Sequence, residues 1–435
     1  MRGWAAVPVS LAALACLAAS TAVGADVIRT ECPNGLVLLV RPSKANDIVA
    51  VDVIMRVSPA DETTETAGIT SLMQTLLLKG TQTRTAEEIA IEMEAAGGVL
   101  DTDAADDYAE AYAVVMREKL DTAFELLDDV LFHPVFPEDE VEKERAIALR
   151  QIQQARDSKF NATHEMLDLA MYGREHPYGL PVMGTEETVS SITRVDIVDY
   201  HRAHVVPSRM VVVVVGDVDP AGIRRRVEGS WGRLAPGEFA GLPRDKTLPP
   251  LSDVERVEEE RDIEQAFLLL GFPTCSVSDP DYATLKVLNA LTGGGMSSRL
   301  FYELRDKRGL AYELGSFLPT RAGASQYVVY MGTTLGHISP AVEGILDELQ
   351  RLARSPVSEE ELERAKNYLL GTFAMDHQRN KRQAWYLGWY ETLGVGYGFD
   401  EEYPALVREV SADDVRRVAR KYFGNYVLAV LRPQS

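Results

Sequence analysis

The second half of this 435-residue chain repeats the first in order, and that repetition limits the fold more than any local pattern does. VEKERAIAL, from Val141, resembles LERAKNYLL, from Leu362, at an offset of 221 residues. TRVDIVDYHRAH, from Thr193, resembles SADDVRRVARKY, from Ser411, at an offset of 218. The second pair opens on Thr or Ser followed three residues later by Asp, a helix-capping pattern. Each of these helices leads into an apolar run, MVVVVVGD in one half and YVLAVLRP in the other. Chance similarity of two helices would not keep that register, whereas a duplicated unit would. Strand-like runs at Leu36 to Arg41, Ile48 to Val57 and Met210 to Val215 alternate with long amphipathic helical windows. The expected fold is α+β: two related domains from an internal duplication, each a mainly antiparallel sheet with helices packed on one face.

Residues 1–25, MRGWAAVPVSLAALACLAASTAVGA, combine an early Arg2, a short small-residue apolar run and Val23-Gly24-Ala25, a pattern a signal peptidase accepts. They read as a removed signal peptide, so the protein is expected to be exported, to the periplasm if its host is a Gram-negative bacterium. Cys16 has Ala13 where lipid attachment usually has Leu, which favours a soluble protein over a lipoprotein. The first domain then spans 26–235. Residues 236–252, with Pro236, Pro243, Pro249 and Pro250, read as a linker, and 253–435 as the second domain. Without the signal only Cys32 and Cys275 remain, too few for a disulfide framework, and they would pair only if the fold brought them together. A net charge of -21 opposes general attraction to nucleic acid or anionic lipid, and no other window approaches a membrane span.

The stretch ITSLMQTLLLKGT, Ile69 to Thr81, poses the functional question. Ile69, Leu72, Met73, Leu76 and Leu77 form a core-facing helical stripe, while Ser71, Gln74, Thr75 and Leu78 face elsewhere. Its surroundings, ETAGITSLMQTLLLKGTQTRTAEEI and then MEAAGG, resemble the insulinase/pitrilysin metallopeptidase family, in the branch of the mitochondrial processing peptidases and their bacterial relatives. There the helix carries the zinc motif H-x-x-E-H ahead of K-G-T. Gly68, Lys79, Gly80, Thr81, Gly97 and Gly98 match. Ser71 and Thr75 stand where the family has its His ligands, and Gln74 where it has its catalytic Glu. The family's third ligand, a Glu about 76 residues beyond the second His, falls on Gln151. All four positions are neutral; hydroxyl and amide groups ligate zinc weakly, and Gln74 cannot take a proton from a metal-bound water. His201 and His204, three residues apart, have no acidic partner at a family-like spacing and read as packing or surface residues. His176 reads as a loop residue, and His164-Glu165 is no zinc motif.

The second half contains LTGGGMSSRLFYELRDKRGLAYELGSF, Leu291 to Phe317. Gly293-Gly294-Gly295 lacks the following Lys-Ser/Thr of a phosphate loop and reads as a turn before a helix whose apolar face is Leu300, Phe301, Leu304 and Leu310. By resemblance this is the family segment that lends an Arg and a Tyr, seven residues apart, to the active site; Arg305 and Tyr312 satisfy it. The resemblance implies that Tyr312 donates its hydroxyl to the developing oxyanion, that Arg305 holds a substrate carbonyl or helps the same charge, and that Gly293, Gly294 and Gly295 contact substrate. One departure concerns the family's substrate-binding edge strand, often L-N-A-x-T, which here reads Leu100-Asp101-Thr102-Asp103-Ala104. Strand addition there is then lost or altered in preference. The expectation is a non-catalytic subunit with no metal of its own. It would act in trans with an H-x-x-E-H-bearing, zinc-holding partner on unfolded peptides. A structural or chaperone-like protein, with Arg305 and Tyr312 idle, is the alternative; an independent metallopeptidase with a rebuilt site has no ligands to support it.

Overall fold

Along Met210 to Val215 alternate side chains point to opposite faces, and all six are buried. Such a strand must lie inside a sheet that is covered on both sides. In the computed structural model, which describes residues 27–239, 241, 248 and 251–434, it does. The expected signal peptide lies outside the described residues, and the expected linker lies only partly among them.

The first half contains β1 (Ile28–Glu31), β2 (Val37–Pro42), β3 (Ile48–Met55), α1 (Ile69–Leu76), α2 (Ala86–Ala95), β4 (Val99–Ala104), β5 (Ala109–Met116), α3 (Leu120–Phe132), α4 (Glu138–Asp157), α5 (Lys159–Tyr172), α6 (Glu186–Ser191), α7 (Arg194–His204), β6 (Met210–Gly216) and α8 (Pro220–Gly229). The second contains β7 (Glu255–Arg261), β8 (Ala266–Pro273), α9 (Tyr282–Thr292), β9 (Glu313–Phe317), β10 (Gln326–Thr333), α10 (Ile338–Arg354), α11 (Glu359–Asp376), α12 (Asn380–Leu393), α13 (Phe399–Glu409), α14 (Ala412–Tyr422) and β11 (Val427–Pro433). The first sheet runs β1-β2-β6-β3-β5-β4 and the second β7-β11-β8-β10-β9. With β1 set aside the two orders are the same. The β2–β6 and β7–β11 pairs are parallel and the remaining neighbours antiparallel. The caps of α7 and α14 form as the sequence suggests, Thr193 with Asp196 and Ser411 with Asp414.

Each sheet packs one face on helices of its own half, as expected, in a core that takes Val212 and Val214 in the first half and Leu268 and Leu270 in the second. The opposite face is covered differently. There each half lends the other one helix. From the second half, α12 lies on β3 and β6, with Ala384 and Leu387 against Val37, Leu39, Val211 and Val213. From the first, α5 lies on β8 and β11, with Leu167 and Met171 against Phe267, Leu269 and Ala429. The two helices are 14 residues each and start 221 positions apart, so they are duplicates exchanged between the halves. Glycine permits the close approach: a Cβ at Gly388 of α12 would lie 2.8 Å from Val213, and one at Gly271 of β8 would lie 2.8 Å from Leu167. Cys32 and Cys275, one in each half, are free thiols. Among the described residues no helix is long and apolar enough to cross a membrane.

Polar bonds pin the start of α12. Asn380 donates to the Ile48 carbonyl at 2.7 Å, and the Lys381 ammonium reaches Asp52 at 2.7 Å and Glu110 at 3.1 Å. Burial, then the neighbouring Asp52, pushes the Glu110 carboxyl up to about 8, against the pull of Lys381. Burial raises Asp52 as well. One lysine thus serves two buried carboxyls. A carboxyl raised on folding contributes stability that is intact below its unfolded value, 4.5, and lost as pH rises through about 8. Thermal denaturation across that interval should show a falling midpoint, and Glu110→Gln should flatten the fall. An unaltered pH profile in the variant would rule out Glu110 as its source.

Candidate functional site

The helix of interest is set by its first turn. Gly68 precedes α1 with φ of 95°, and a Cβ there would lie 2.6 Å from the Met183 carbonyl oxygen, so only glycine fits. Glu62 caps the helix from outside: its carboxylate accepts from the backbone N–H of Gly68 at 2.9 Å and of Thr70 at 3.0 Å. Burial nevertheless raises its pKa. The Thr70 hydroxyl meets that of Tyr200 at 2.8 Å, and Thr188 donates to the Ala67 carbonyl at 2.7 Å. The start of α1 is therefore fixed before its polar face is considered.

Ile69, Leu72, Met73, Leu76 and Leu77 are buried in the first core, as the pattern predicts. Ser71 and Thr75 face α4, and between the helices lies a cavity of about 70 Å³ lined by Ser71, Thr75, Glu144 and Gln151, with Ile147 and Met183. The structure therefore brings Ser71, Thr75 and Gln151 together, although 76 residues separate the last two. Gln74 does not line this cavity, and it lies on no open face either. It is 2% exposed, and neither side-chain amide atom has a hydrogen-bond partner. The cause is β4, which runs alongside: the Thr102 hydroxyl donates to the Gln74 carbonyl at 2.8 Å. A neutral amide tolerates such burial far better than an unpaired carboxylate would.

Glu144 is the residue that the sequence reading passed over. It is buried, lines the cavity and is bound by the Lys79 ammonium at 2.8 Å. A signal was present, because Glu144 and Gln151 are seven residues apart and share one face of α4. The donors facing the cavity are two hydroxyls, one amide and this carboxylate. Thr75 turns its hydroxyl back to the Ser71 carbonyl at 3.2 Å, and Lys79 already neutralises Glu144. Such a set does not fit zinc, which requires imidazole, thiolate or free carboxylate donors. Among the described residues no three His, Cys, Asp or Glu side chains are placed to hold a metal ion.

The histidines are used in packing. His201 bonds the Leu131 carbonyl at 2.8 Å, and burial lowers its pKa. His204 stacks on Tyr200. His176 accepts from the Tyr178 N–H in a loop, and His164 stacks on Phe160.

Arg305 and Tyr312 lie on the other half, at the β9 edge of the second sheet. Arg305 belongs to a single helical turn, Phe301–Asp306, with its guanidinium 4.4 Å from the Phe301 ring centre and no ion-pair partner among the described residues. Tyr312 is 72% exposed and its hydroxyl bonds to no described residue. Neither residue lines the α1–α4 cavity that Ser71, Thr75 and Gln151 share. Gly293, after α9, is a close-packing glycine: a Cβ there would meet the Ser316 hydroxyl at 2.4 Å. The Gly293–Gly295 turn is thereby held against β9.

Known proteins match the chain along most of its length. The insulinase family (peptidase family M16) matches residues 37–186, and the peptidase M16 inactive domain matches residues 191–369. An uncharacterized zinc protease of Bacillus subtilis is 30% identical over 419 residues, covering 94% of this chain and 98% of its own. One from Mycobacterium leprae is 33% identical over 413 residues, covering 94% and 93%. In fold, a protease from Helicobacter pylori matches with a TM-score of 0.88 at 22% identity, covering 94% of this chain and 99% of that one. A peptidase M16 inactive domain from Pseudomonas fluorescens matches with a TM-score of 0.85 at 20% identity and the same coverage.

The donor set predicts that purified wild-type protein retains no stoichiometric zinc by elemental analysis after dialysis. The quadruple variant Ser71→His, Gln74→Glu, Thr75→His, Gln151→Glu should bind one zinc, because α1 and α4 already hold the positions together. Stoichiometric zinc in the wild type would contradict this account of the cavity.

Proposed function

The chain belongs to the insulinase family of peptidases, family M16, and from that premise we propose that it is the non-catalytic subunit of an exported two-chain zinc peptidase. The observation that carries this reading is an asymmetry within one molecule. The α1–α4 cavity offers two hydroxyls, an amide and one carboxylate already held by Lys79, while Arg305 and Tyr312 stand exposed and uncommitted at the other half's sheet edge. Packing alone would not require an exposed tyrosine and an unpaired arginine seven residues apart.

A homologous partner bearing H-x-x-E-H would hold the zinc and carry out the proton chemistry. This chain would close the chamber around an unfolded peptide. The Tyr312 hydroxyl would donate to the oxygen on which negative charge develops, and the Arg305 guanidinium would hold a substrate carbonyl or share that charge. A neutral donor and a permanent cation do this without reorganisation once water is excluded. The acidic surface, net charge -21, suits a protein that stays soluble outside the cell.

In the mixed complex, Tyr312→Phe should lower kcat for an unstructured peptide by roughly 10²-fold with little change in KM, the usual effect of losing one oxyanion donor. The same variant should leave the association of the two chains unaltered. An unchanged kcat would remove Tyr312 from the reaction and favour the structural or chaperone-like alternative.

A further inference from the structure

The duplication places a second pocket where the first half has its vanished metal site. Between α9 and α11 lies a cavity of about 300 Å³ lined by Leu291, Gly295, Met296, Glu361, Ala365 and Tyr368 among others. An offset of 221 residues carries Glu144 and Ile147, which line the α1–α4 cavity, onto Ala365 and Tyr368, which line this one. The two are counterparts with opposite chemistry: in the second half a methyl group stands where the first has a carboxylate, and the space is several times larger.

Its walls suit an apolar guest. Met296 is 80% exposed and Tyr368 is 52% exposed, both large apolar side chains facing solvent. The two charges in the wall have partners: Arg299 holds Glu361 through two bonds of 2.6 and 2.7 Å, and Arg364 lies 3.9 Å from Glu360. Gly295 keeps the pocket open: a Cβ added there would meet only the Tyr368 ring, at 3.9 Å, and its φ is not positive. Its lack of a side chain is thus explained by neither backbone strain nor close packing, unlike that of Gly293. Through Gly295 and Met296 the pocket runs directly into the turn that leads to Arg305.

We propose that the α9–α11 pocket binds one bulky apolar side chain, such as Phe, Leu or Met, of an extended polypeptide, holding it beside the segment that carries Arg305 and Tyr312. The assignment rests on the reading of this chain as a handler of unfolded peptides, but it concerns this chain alone. Burying an aromatic ring on Met296 and Tyr368 supplies affinity that is blind to main-chain sequence, as an unfolded substrate requires.

The test uses the isolated full chain and a short fluorescein-labelled Gly/Ser/Gln peptide with one central Phe, set against the same peptide with Ala. Fluorescence anisotropy should show the Phe peptide binding at least about tenfold more tightly. Gly295→Leu, which fills the pocket, should abolish that preference. Tyr368→Ser should weaken it, and serves as the second variant should Gly295→Leu fail to fold. Equal affinity for the two peptides, or a preference that survives both variants, would overturn the pocket. Pairing with an H-x-x-E-H chain is scored separately by co-elution. Phe discrimination without a partner would therefore support the pocket while refuting the two-chain peptidase, and pairing without discrimination would do the reverse.

Discussion

The architecture depends on an exchange of helices. Each sheet has central strands that are apolar on both faces, and neither half can cover its second face with its own helices. From one half, α5 seals β8 and β11; from the other, α12 seals β3 and β6. Neither half can close its core alone, so the two are a structural unit even though they arose as copies. Exchange also fixes their relative orientation, because α12 is tied at its start to buried Asp52 and Glu110, and Arg321 of the second half reaches Asp106 and Tyr172 of the first at 2.9 and 2.8 Å.

Within that frame the copies have diverged in chemistry rather than in shape. The first half keeps the helix pair, the glycine-fitted start of α1 and the Lys79–Glu144 ion pair, but presents hydroxyls and an amide. The second half has a largely apolar pocket at the equivalent place, and the chain that leaves its wall at Ser297 continues to Arg305 and Tyr312. The start of α1 is held by hydrogen bonds with Glu62, Tyr200 and Thr188, and its apolar face by the first core.

Much of this was legible in the sequence. The duplication followed from two matched helices at nearly constant offset, and β2, β3 and β6 were located to within two residues. That Ser71, Thr75 and Gln151 would meet was legible because the matching residues around them define their positions. Three things were not. Periodicity says which face of a helix is buried but not what buries it, so the exchange of α5 and α12 was invisible. The same limit hid the burial of Gln74, whose cover comes from β4 and not from its own helix. Glu144 escaped because a carboxylate in a helix as charged as α4 looks like solvated surface until Lys79 is seen across from it. The α9–α11 pocket is a space between elements, and only the duplication, applied to the folded chain, identifies it as the counterpart of the α1–α4 cavity.

The central claim is that this chain completes another chain's active site. The most direct measurement is affinity capture of the tagged protein from the exported fraction of its own host, with the stoichiometry and sequence of co-eluting chains read by mass spectrometry and peptide hydrolysis assayed in the same eluate. The account predicts an equimolar family member that carries H-x-x-E-H, and activity that disappears when either chain is withheld. Recovery of this protein alone, or of an H-x-x-E-H chain that is fully active without it, would contradict the account.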